Sequence, residues 1–248
     1  MTLQEFFIGH PRAALAFSGG TDSAFLLRAA RDCGCRVRAY CVSSPFQPRF
    51  ELEDARRLAR ELHTELTVLE LDVLSCPQIA SNPPDRCYHC KRAVLSAIRE
   101  AARADGFPLL MDGSNASDDP GDRPGMRALA ELNVRSPLRE CGLTKEDVRR
   151  LSRQAGLFTW DKPAYACLAT RIPAGEVITR EKLARTEAAE DLLRGLGFPD
   201  VRVRLFHGAA RIQLPSACLP ALLERREEIL GELKRYYPAV MLDLEVRS

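Results

Sequence analysis

Short apolar segments alternate with amphipathic segments along the first part of the chain. Residues 12–17 (RAALAF) have the pattern of a buried strand, and residues 50–62 place apolar side chains at the i, i+3, i+4, i+7 spacing of one helix face. The pattern predicts strands at residues 12–17, 37–42, 65–71 and 108–111, and helices at residues 22–30, 50–62 and 91–104. Strands separated by helices predict an α/β fold, a parallel sheet with helices on both faces.

The pattern changes after residue 162. A loop punctuated by proline and glycine (KPAYACLATRIPAG) precedes a long helical pattern with an apolar face. From there the sequence predicts a helix at residues 179–196, strands at 201–206 and 210–214, a helix at 219–236 and a strand at 240–246. This order predicts a small C-terminal α+β domain. We therefore expect one domain over residues 1–165 and a second over residues 166–248.

Composition narrows the function classes. The 248 residues are 46% hydrophobic and 28% charged, which is typical of a globular chain. Lys and Arg number 36 against 34 Asp and Glu, so the net charge of +2 does not favour a nucleic-acid partner. The absence of a long apolar run or a secretory signal predicts a cytoplasmic protein without membrane contact. Nine cysteines are expected to be thiols, metal ligands or catalytic groups rather than disulfides.

The segment SGGTDS lies between the first predicted strand and the first predicted helix. Gly19 and Gly20 let the backbone approach an anion, while Ser18 and Ser23 add hydroxyl donors. No lysine follows the turn, so this is not the common P-loop. The pattern S-G-G-x-D-S, which includes Asp22, resembles the PP-loop of ATP pyrophosphatases. Those enzymes split ATP between its α and β phosphates and adenylate a substrate. A glycine-rich turn capped by its own serine and aspartate is the alternative.

Two thiols at C-x-x-C spacing stand where a turn-rich segment joins a helix. Cys87 and Cys90 can ligate one metal or cluster, or form a redox disulfide, and a helix N-terminus lowers the pKa of a thiol. A zinc site would need two more ligands, for which Cys76 and His63 are the nearest candidates. Two incidental cysteines are the alternative interpretation.

A third cysteine lies in the loop at the domain boundary. Cys167 precedes Arg171 by four residues, and the guanidinium can hold a phosphate or carboxylate and lower the pKa of the thiol. This pairing favours a nucleophile or a ligand over a core residue.

Acidic and basic side chains mark two further candidate sites. Asp112 follows the fourth predicted strand, ahead of Asp118 and Asp119, and open α/β sheets bind ligands beyond the carboxyl ends of their strands. Asp112 or Asp118 is therefore expected to hold Mg²⁺ or position substrate, with a surface turn as the alternative. In the second domain, Arg202 and Arg204 share one face of a strand. They predict a phosphate site, with a solvated strand face as the alternative.

Seven segments together resemble one family over nearly the whole chain. They are SGGTDS, NPPDRCYHCK, DGSNASDD, RPG, SPL, TWDKPAYACLATRIPAG and VRVRLFHGAARI, in the order seen in the LarE family. LarE proteins are ATP-dependent sulfur transferases that make the nickel-pincer nucleotide of lactate racemase. The resemblance implies that Mg-ATP adenylates a carboxylate of a pyridinium dicarboxylate mononucleotide. Pyrophosphate then leaves, and delivery of sulfur gives a thiocarboxylate.

The resemblance also implies roles for individual residues. The ATP site is matched by Ser18, Gly19, Gly20, Asp22 and Ser23. Arg202 and Arg204 match arginines of a substrate-phosphate site, and Glu190 matches a metal-binding acid near it, a candidate Mg²⁺ ligand. Gln213 stands where the family often has a glutamate, which places any metal site using that carboxylate in question. A hexameric assembly is a trait of the family.

Sulfur delivery has two routes in the light of this resemblance. Cys167 matches the sulfur-handling cysteine of a C-L-A-S-R motif, in which this chain has Thr170 for the serine. With Cys87 and Cys90 it could hold a [4Fe–4S] cluster that leaves one iron open for sulfide, since a full set takes four thiolates. Alternatively, Cys167 attacks the acyl-adenylate and gives up its own sulfur, which leaves dehydroalanine. We expect Cys167, Asp22 and Arg171 to serve the chemistry.

Two other functions compete with this prediction. A different PP-loop enzyme, such as a tRNA thiolase, would need an RNA-binding domain or a basic face, which the net charge of +2 does not favour. A non-enzymatic carrier of nucleotide or metal would show no substrate-dependent exchange between ATP and pyrophosphate.

Overall fold

The computed structural model describes residues 1–118 and 124–247, and the chain forms two compact units. The first unit comprises Met1–Val73 and Asp85–Ala164, and the second comprises Leu74–Pro84 and Tyr165–Ser248. The chain thus leaves the first unit twice along its length. The functional division predicted from the sequence, a nucleotide domain over residues 1–165 and a substrate domain over 166–248, stays a prediction.

The segment Leu74–Pro84 is hydrogen-bonded to the rest of the second unit. The side-chain amide of Asn82 is buried and donates to the carbonyls of Pro173 at 2.7 Å and Ile172 at 3.3 Å. The backbone N–H of Gly175 donates to the carbonyl of Asn82 at 2.8 Å. Asn82 has a φ of 56°, a left-handed conformation that asparagine tolerates better than most residues.

A four-stranded sheet forms the centre of the first unit. Its strands are β1 (Arg12–Ala16), β2 (Arg36–Ser43), β3 (Leu66–Glu70) and β4 (Leu110–Met111). The order across the sheet is β3-β2-β1-β4, and every pairing is parallel, as at Leu15, which lies opposite Ala39 and Met111. The carboxyl ends of parallel strands meet at one edge. The segments SGGTDS and DGSN, which follow β1 and β4, therefore start from neighbouring strand ends.

Helices cover both faces of this sheet, which confirms the predicted α/β fold. The helices of the whole chain are α1 (Leu3–Gly9), α2 (Thr21–Asp32), α3 (Arg49–Glu61), α4 (Pro77–Ala80), α5 (Arg86–Ala104), α6 (Pro124–Glu131), α7 (Pro137–Glu140), α8 (Lys145–Gln154), α9 (Arg180–Gly195), α10 (Leu219–Glu224) and α11 (Arg226–Leu233). Leu15 and Cys41 pack on one face with α1, α2, α3 and α8. Ala14 and Tyr40 pack on the other with α5 and α6. Successive strand side chains alternate between these two cores.

Several elements differ from the sequence prediction. Helices α6, α7 and α8 were not predicted, and the strand predicted over residues 240–246 ends at Leu242. The helix predicted to start at residue 91 starts at Arg86, because the turn-like segment NPPD ends before the cysteines and does not include them. The helix predicted over residues 219–236 is two helices, broken at Arg225, whose guanidinium donates to the carbonyl of Leu196 at 2.7 Å. Helix α1 was not predicted at all. Its capping box, with Thr2 and Glu5, was the available signal.

The second unit contains a three-stranded sheet, as the predicted α+β domain requires. Its strands are β5 (Arg202–Phe206), β6 (Ala209–Gln213) and β7 (Val240–Leu242). β5 and β6 are antiparallel and are joined by His207 and Gly208, both with positive φ, whereas β6 and β7 are parallel. Among the described residues of the whole chain, no helix has the length and apolar character needed to cross a membrane.

Candidate active site

The SGGTDS loop passes directly from β1 into α2. Gly19 has a φ of +76°, and a Cβ there would lie 3.0 Å from the backbone nitrogen of Ala55 in α3. Gly20 occupies the N-cap position of α2 without a side-chain cap. The N–H groups of the first turn of α2 are therefore left for an anion. Glycine at position 19 is needed for both the backbone conformation and the close approach of α3.

The hydroxyl groups of the loop are held in a local network. Ser18 Oγ lies 3.2 Å from Ser23 Oγ and accepts from the backbone N–H of Gly20 at 3.3 Å. Ser23 Oγ also donates to the carbonyl of Gly20 at 3.2 Å. The hydroxyl of Thr21 donates to the carbonyl of Thr159 at 2.6 Å. The loop is thus ordered by its own side chains and by the segment that precedes Lys162.

Replacing Gly19 by alanine is expected to destabilise the chain by about 1–3 kcal/mol, because alanine resists a left-handed conformation and its Cβ would crowd α3. Gly20→Ala is the matched control, since its φ is not positive and its Cβ would meet only Ser18 Oγ at 3.4 Å. Urea unfolding of both variants provides the measurement. Equal stabilities of the two variants would contradict this account of Gly19.

Asp22 follows these hydroxyls in the first turn of α2. Burial raises the pKa of its carboxyl, the hydrogen bond from Asn115 Nδ2 at 3.2 Å opposes this, and the nearby charge of Asp118 raises the pKa further. Asn115 comes from the DGSN segment after β4, as the sheet topology requires. Two neighbouring carboxylates offer oxygen ligands of the kind that suits a divalent cation.

Asp112 lies in the same segment but is engaged by protein groups. Its buried carboxylate accepts from Ser136 Oγ at 2.6 Å and from Ser114 Oγ at 2.6 Å, and Lys91 Nζ lies 3.7 Å away. These contacts fix the turn after β4. Its predicted role in binding nucleotide or Mg²⁺ stays a prediction. Asp119 and the first residue of the RPG motif, Arg123, lie outside the described residues.

Two cations near Asp22 could not be identified from the sequence. Lys145 and Arg149 of α8 both act to lower the pKa of Asp22. The backbone N–H of Lys145 donates to Ser117 Oγ at 3.0 Å, and the N–H of Ser117 donates to Asn115 Oδ1 at 2.9 Å. The capping box at Thr144 could have revealed the start of α8. Only the fold reveals which loop that helix end faces.

Cys87 and Cys90 lie near the N-terminus of α5. Their i, i+3 spacing places both on one side of the helix. Cys87 is exposed and Cys90 is half-buried. Arg86 Nη2 lies 3.3 Å from Cys87 Sγ. The two thiols share a side of one helix, as joint ligation of a metal or cluster requires.

Cys167 begins a short 3₁₀ turn, Leu168–Arg171, in the second unit. Cys167 is half-buried, and its backbone carbonyl accepts a hydrogen bond from the N–H of Thr170 at 3.0 Å. Arg171 is almost fully buried and forms an ion pair with Glu190 at 2.7 Å. The guanidinium of Arg171 is therefore turned toward a buried carboxylate, and its predicted pairing with the thiol of Cys167 stays a prediction.

The surroundings of Glu190 do not fit a metal site. Its carboxylate is contacted by N–H and O–H donors from Arg171, Tyr165 and the backbone of Val203, and by Arg194 at 3.8 Å. Gln213, in place of a family glutamate, donates to Asp243 and accepts from Arg204. Among the residues that the structure describes, no group of three or more His, Cys, Asp and Glu is placed to hold a metal ion. A metal role for Glu190 thus stays a prediction that its donors do not favour.

The predicted phosphate arginines lie in a cluster of cations. Arg202 is 2% exposed, and burial, with the charges of Arg171 and Arg247, lowers its pKa to about 10. Burial and neighbouring arginines also lower the pKa of Arg204, which donates to the carbonyl of Thr170 at 2.8 Å. Cations that disfavour one another's charge are stabilised by a bound anion. The cluster thus has the electrostatics of a phosphate or carboxylate site.

Comparison with known proteins adds three relatives, whereas no protein-family model matches the sequence. An uncharacterised protein of Synechocystis sp. is 38% identical over 98% of this chain and 92% of its own length. The pyridinium-3,5-bisthiocarboxylic acid mononucleotide synthase of Lactiplantibacillus plantarum is 36% identical over 94% of this chain and 86% of its own. An uncharacterised protein of Methanocaldococcus jannaschii is 28% identical over 94% of this chain and 89% of its own.

Proposed function

Because the chain belongs to the LarE family of ATP-dependent sulfur transferases, we propose that it adenylates a carboxylate of a pyridinium dicarboxylate mononucleotide and replaces the adenylate with sulfur. The product is a thiocarboxylate for the nickel-pincer cofactor, which would place the enzyme in the maturation of lactate racemase. The observation that carries this proposal is the similarity to the Lactiplantibacillus plantarum synthase over 94% of the chain. The SGGTDS loop supports it, since it has the geometry of an anion site.

Activation of the carboxylate falls to the first unit. The first-turn N–H groups of α2 and the hydroxyls of Ser18 and Ser23 would hold the β and γ phosphates of ATP. A carboxylate oxygen of the substrate attacks the α phosphorus, the bond to the β phosphate oxygen breaks, and pyrophosphate leaves. Asp22 and Asp118 would hold Mg²⁺, and the ion would neutralise charge on the phosphates. Asp118 lies close enough to Asp22 for its charge to raise the pKa of Asp22.

Recognition of the mononucleotide falls to the second unit. The substrate carries a phosphate, and Arg202 and Arg204 lie in β5, where burial and the charges of Arg171 and Arg247 lower the pKa of both. Arg204 is fixed by its contacts with Gln213 and the Thr170 carbonyl, so its guanidinium is ordered before substrate binds. A fixed cation loses less entropy on binding an anion than a mobile one does.

Arg204→Ala is expected to raise the KM for the mononucleotide about tenfold or more, since a charge-assisted hydrogen bond contributes roughly 1.5–3 kcal/mol and 1.4 kcal/mol is a factor of ten. Steady-state pyrophosphate release at varied mononucleotide concentration measures it. Arg226→Ala is the control, because Arg226 is an exposed arginine of the same unit that pairs with Glu227. Equal KM values for the Arg204→Ala and Arg226→Ala variants would mean that Arg204 does not bind the phosphate of the mononucleotide.

Sulfur delivery is proposed to need Cys87, Cys90 and Cys167. Thiols are the right donors for an iron–sulfur cluster, and the first two share one side of α5. A [4Fe–4S] cluster on these three thiolates would supply sulfide for the activated carboxylate. In the competing route, the Cys167 thiolate attacks the acyl carbon and AMP leaves. Loss of the Cys167 α proton then breaks its Cβ–S bond and gives thiocarboxylate and dehydroalanine.

The proposed function is tested by anaerobic turnover of the full chain with ATP, Mg²⁺, sulfide and the mononucleotide. We expect pyrophosphate release that depends on the mononucleotide, and a product in which sulfur replaces one carboxylate oxygen by mass. Release without the mononucleotide, or transfer to tRNA instead, would overturn it. Light scattering of the same sample tests the hexamer, which stays a prediction, as do the absence of a nucleic-acid partner and the cytoplasmic location.

A further inference from the structure

One buried carboxylate joins three segments of the second unit. Glu190 of α9 has no exposed surface. Its Oε1 accepts from Arg171 Nε at 2.7 Å and from the backbone N–H of Val203 at 2.9 Å. Its Oε2 accepts from the hydroxyl of Tyr165 and from Arg171 Nη2 at 3.2 Å. These donors come from the loop before Cys167, the turn after it, and β5.

The arginine of this group spans the cysteine turn. Arg171 Nη1 donates to the carbonyl of Ala166 at 3.0 Å and to Thr170 Oγ1 at 2.7 Å, and lies 3.5 Å from the carbonyl of Cys167. One guanidinium therefore bonds backbone or side chain on both sides of the cysteine. Its orientation is set by the two-pronged contact with Glu190.

The other two donors lead to the phosphate arginines. Val203 lies between Arg202 and Arg204 in β5, so its bond to Glu190 fixes the strand that carries both. The ring of Tyr165 lies under the guanidinium groups of Arg202, at 4.3 Å, and Arg171, at 4.6 Å. Burial raises the pKa of Tyr165, as does the charge of Glu190, so its hydroxyl remains a donor.

We infer that Glu190 is a positioning residue that fixes the Cys167 turn relative to the arginines of β5, and that it does so through Arg171 and Val203 rather than as a metal ligand. Its significance for catalysis rests on the proposed function, because the distance it fixes is the one between the sulfur-handling thiol and the phosphate of the substrate. The positioning itself rests only on the contacts above.

Hydrogen exchange of the full chain tests the positioning without substrate or metal. In Glu190→Gln, the peptide that covers residues 165–173 is expected to exchange at least about fivefold faster, while the peptide of β6 and the whole first unit keep their wild-type rates. Exchange at the wild-type rate in residues 165–173, or a uniform rise throughout the second unit, would overturn the inference. Should Glu190→Gln fail to fold, Tyr165→Phe removes one donor only. A smaller rise in the same peptide is then expected, and no rise refutes the inference.

A double-mutant cycle asks whether Glu190 acts through Arg171. Arg171→Lys keeps the charge but loses the two-pronged contact and the bonds across the turn. If Glu190 acts through Arg171, hydrogen exchange in residues 165–173 should be no faster in the Glu190→Gln, Arg171→Lys double variant than in the faster-exchanging of the two single variants. Effects that multiply would show that the two residues act independently and would refute the proposed linkage.

Turnover gives the catalytic arm of the same test. Glu190→Gln removes a negative charge near the arginine cluster, so the KM for the mononucleotide should not rise, whereas kcat should fall about tenfold or more. A raised KM with unchanged kcat would indicate a binding role and would overturn the inference. If wild-type chain transfers no sulfur, the proposed function fails, and the exchange experiment still decides the role of Glu190.

Discussion

Cys167→Ser is expected to abolish thiocarboxylate formation while ATP-dependent pyrophosphate release continues. A hydroxyl neither replaces a thiolate on iron nor donates sulfur. The contacts that hold the turn use the carbonyl of residue 167 and the side chains of Thr170 and Arg171, so the substitution leaves them in place. Mass spectrometry of the product and a pyrophosphate assay in the same reaction measure the two steps separately.

Cys218→Ser is the matched control for this experiment. Cys218 is also half-buried in the second unit and lies in a 3₁₀ turn, outside the proposed sites. Retained sulfur transfer in Cys167→Ser would contradict both routes of delivery. Cys87→Ser distinguishes the two routes of sulfur delivery. If the chain holds a cluster, this variant should lose both the brown colour of the cluster and sulfur transfer. If Cys167 gives up its own sulfur, the variant should remain active. The sacrificial route also removes the mass of H₂S from the wild-type chain after one turnover.

Asp22→Asn is expected to slow pyrophosphate release about a hundredfold or more, since it removes a charge proposed to hold the cation at the transferring phosphate. The amide oxygen of asparagine can still accept the hydrogen bond from Asn115, so the loop should remain folded. Asp32→Asn, at the other end of α2 and paired with Arg28, is the control. Equal rates for the two variants would exclude Asp22 from the ATP step.

The folded chain should tolerate this substitution well. Burial raises the pKa of Asp22 above its ordinary value of 3.8, so the charged form is less favourable in the folded than in the unfolded chain. As pH rises from 3.8 through the raised pKa of the folded chain, Asp22 loses its proton first in the unfolded chain, so the free energy of unfolding falls. Asp22→Asn lacks this loss, so urea unfolding at pH 7 should find it at least as stable as wild type. A clear loss of stability would indicate that the charge has a structural partner.

The parallel sheet could be predicted because its central strand β1 is buried on both faces. Continuous apolar runs such as RAALAF, separated by helical periods, have few other solutions. The loop between β1 and α2 followed from the same pattern, since SGGTDS has glycine where φ is positive and polar donors at the start of a helix. Local chemistry and position in the fold agree there.

Contacts between distant segments could not be predicted in this way. Periodicity did not single out Glu190, which was a candidate Mg²⁺ ligand only through the family resemblance. Its burial depends on Arg171 and Val203, which periodicity does not connect to it. The break at Arg225 depends in the same way on a carbonyl in another helix. Propensity describes a residue's own neighbours, and tertiary partners decide these cases.

Because the segment Leu74–Pro84 belongs to the second unit, the chain cannot be cut into fragments or combined with a relative at residue 165 alone. A fragment that ends at residue 165 would keep Asn82 but lose the carbonyls of Ile172 and Pro173, leaving a buried amide without those acceptors. A chimaera with a relative must therefore exchange residues 74–84 together with residues 165–248. Two separated stretches of the sequence form the second unit, so insertions near residue 80 affect the unit encoded some ninety residues later.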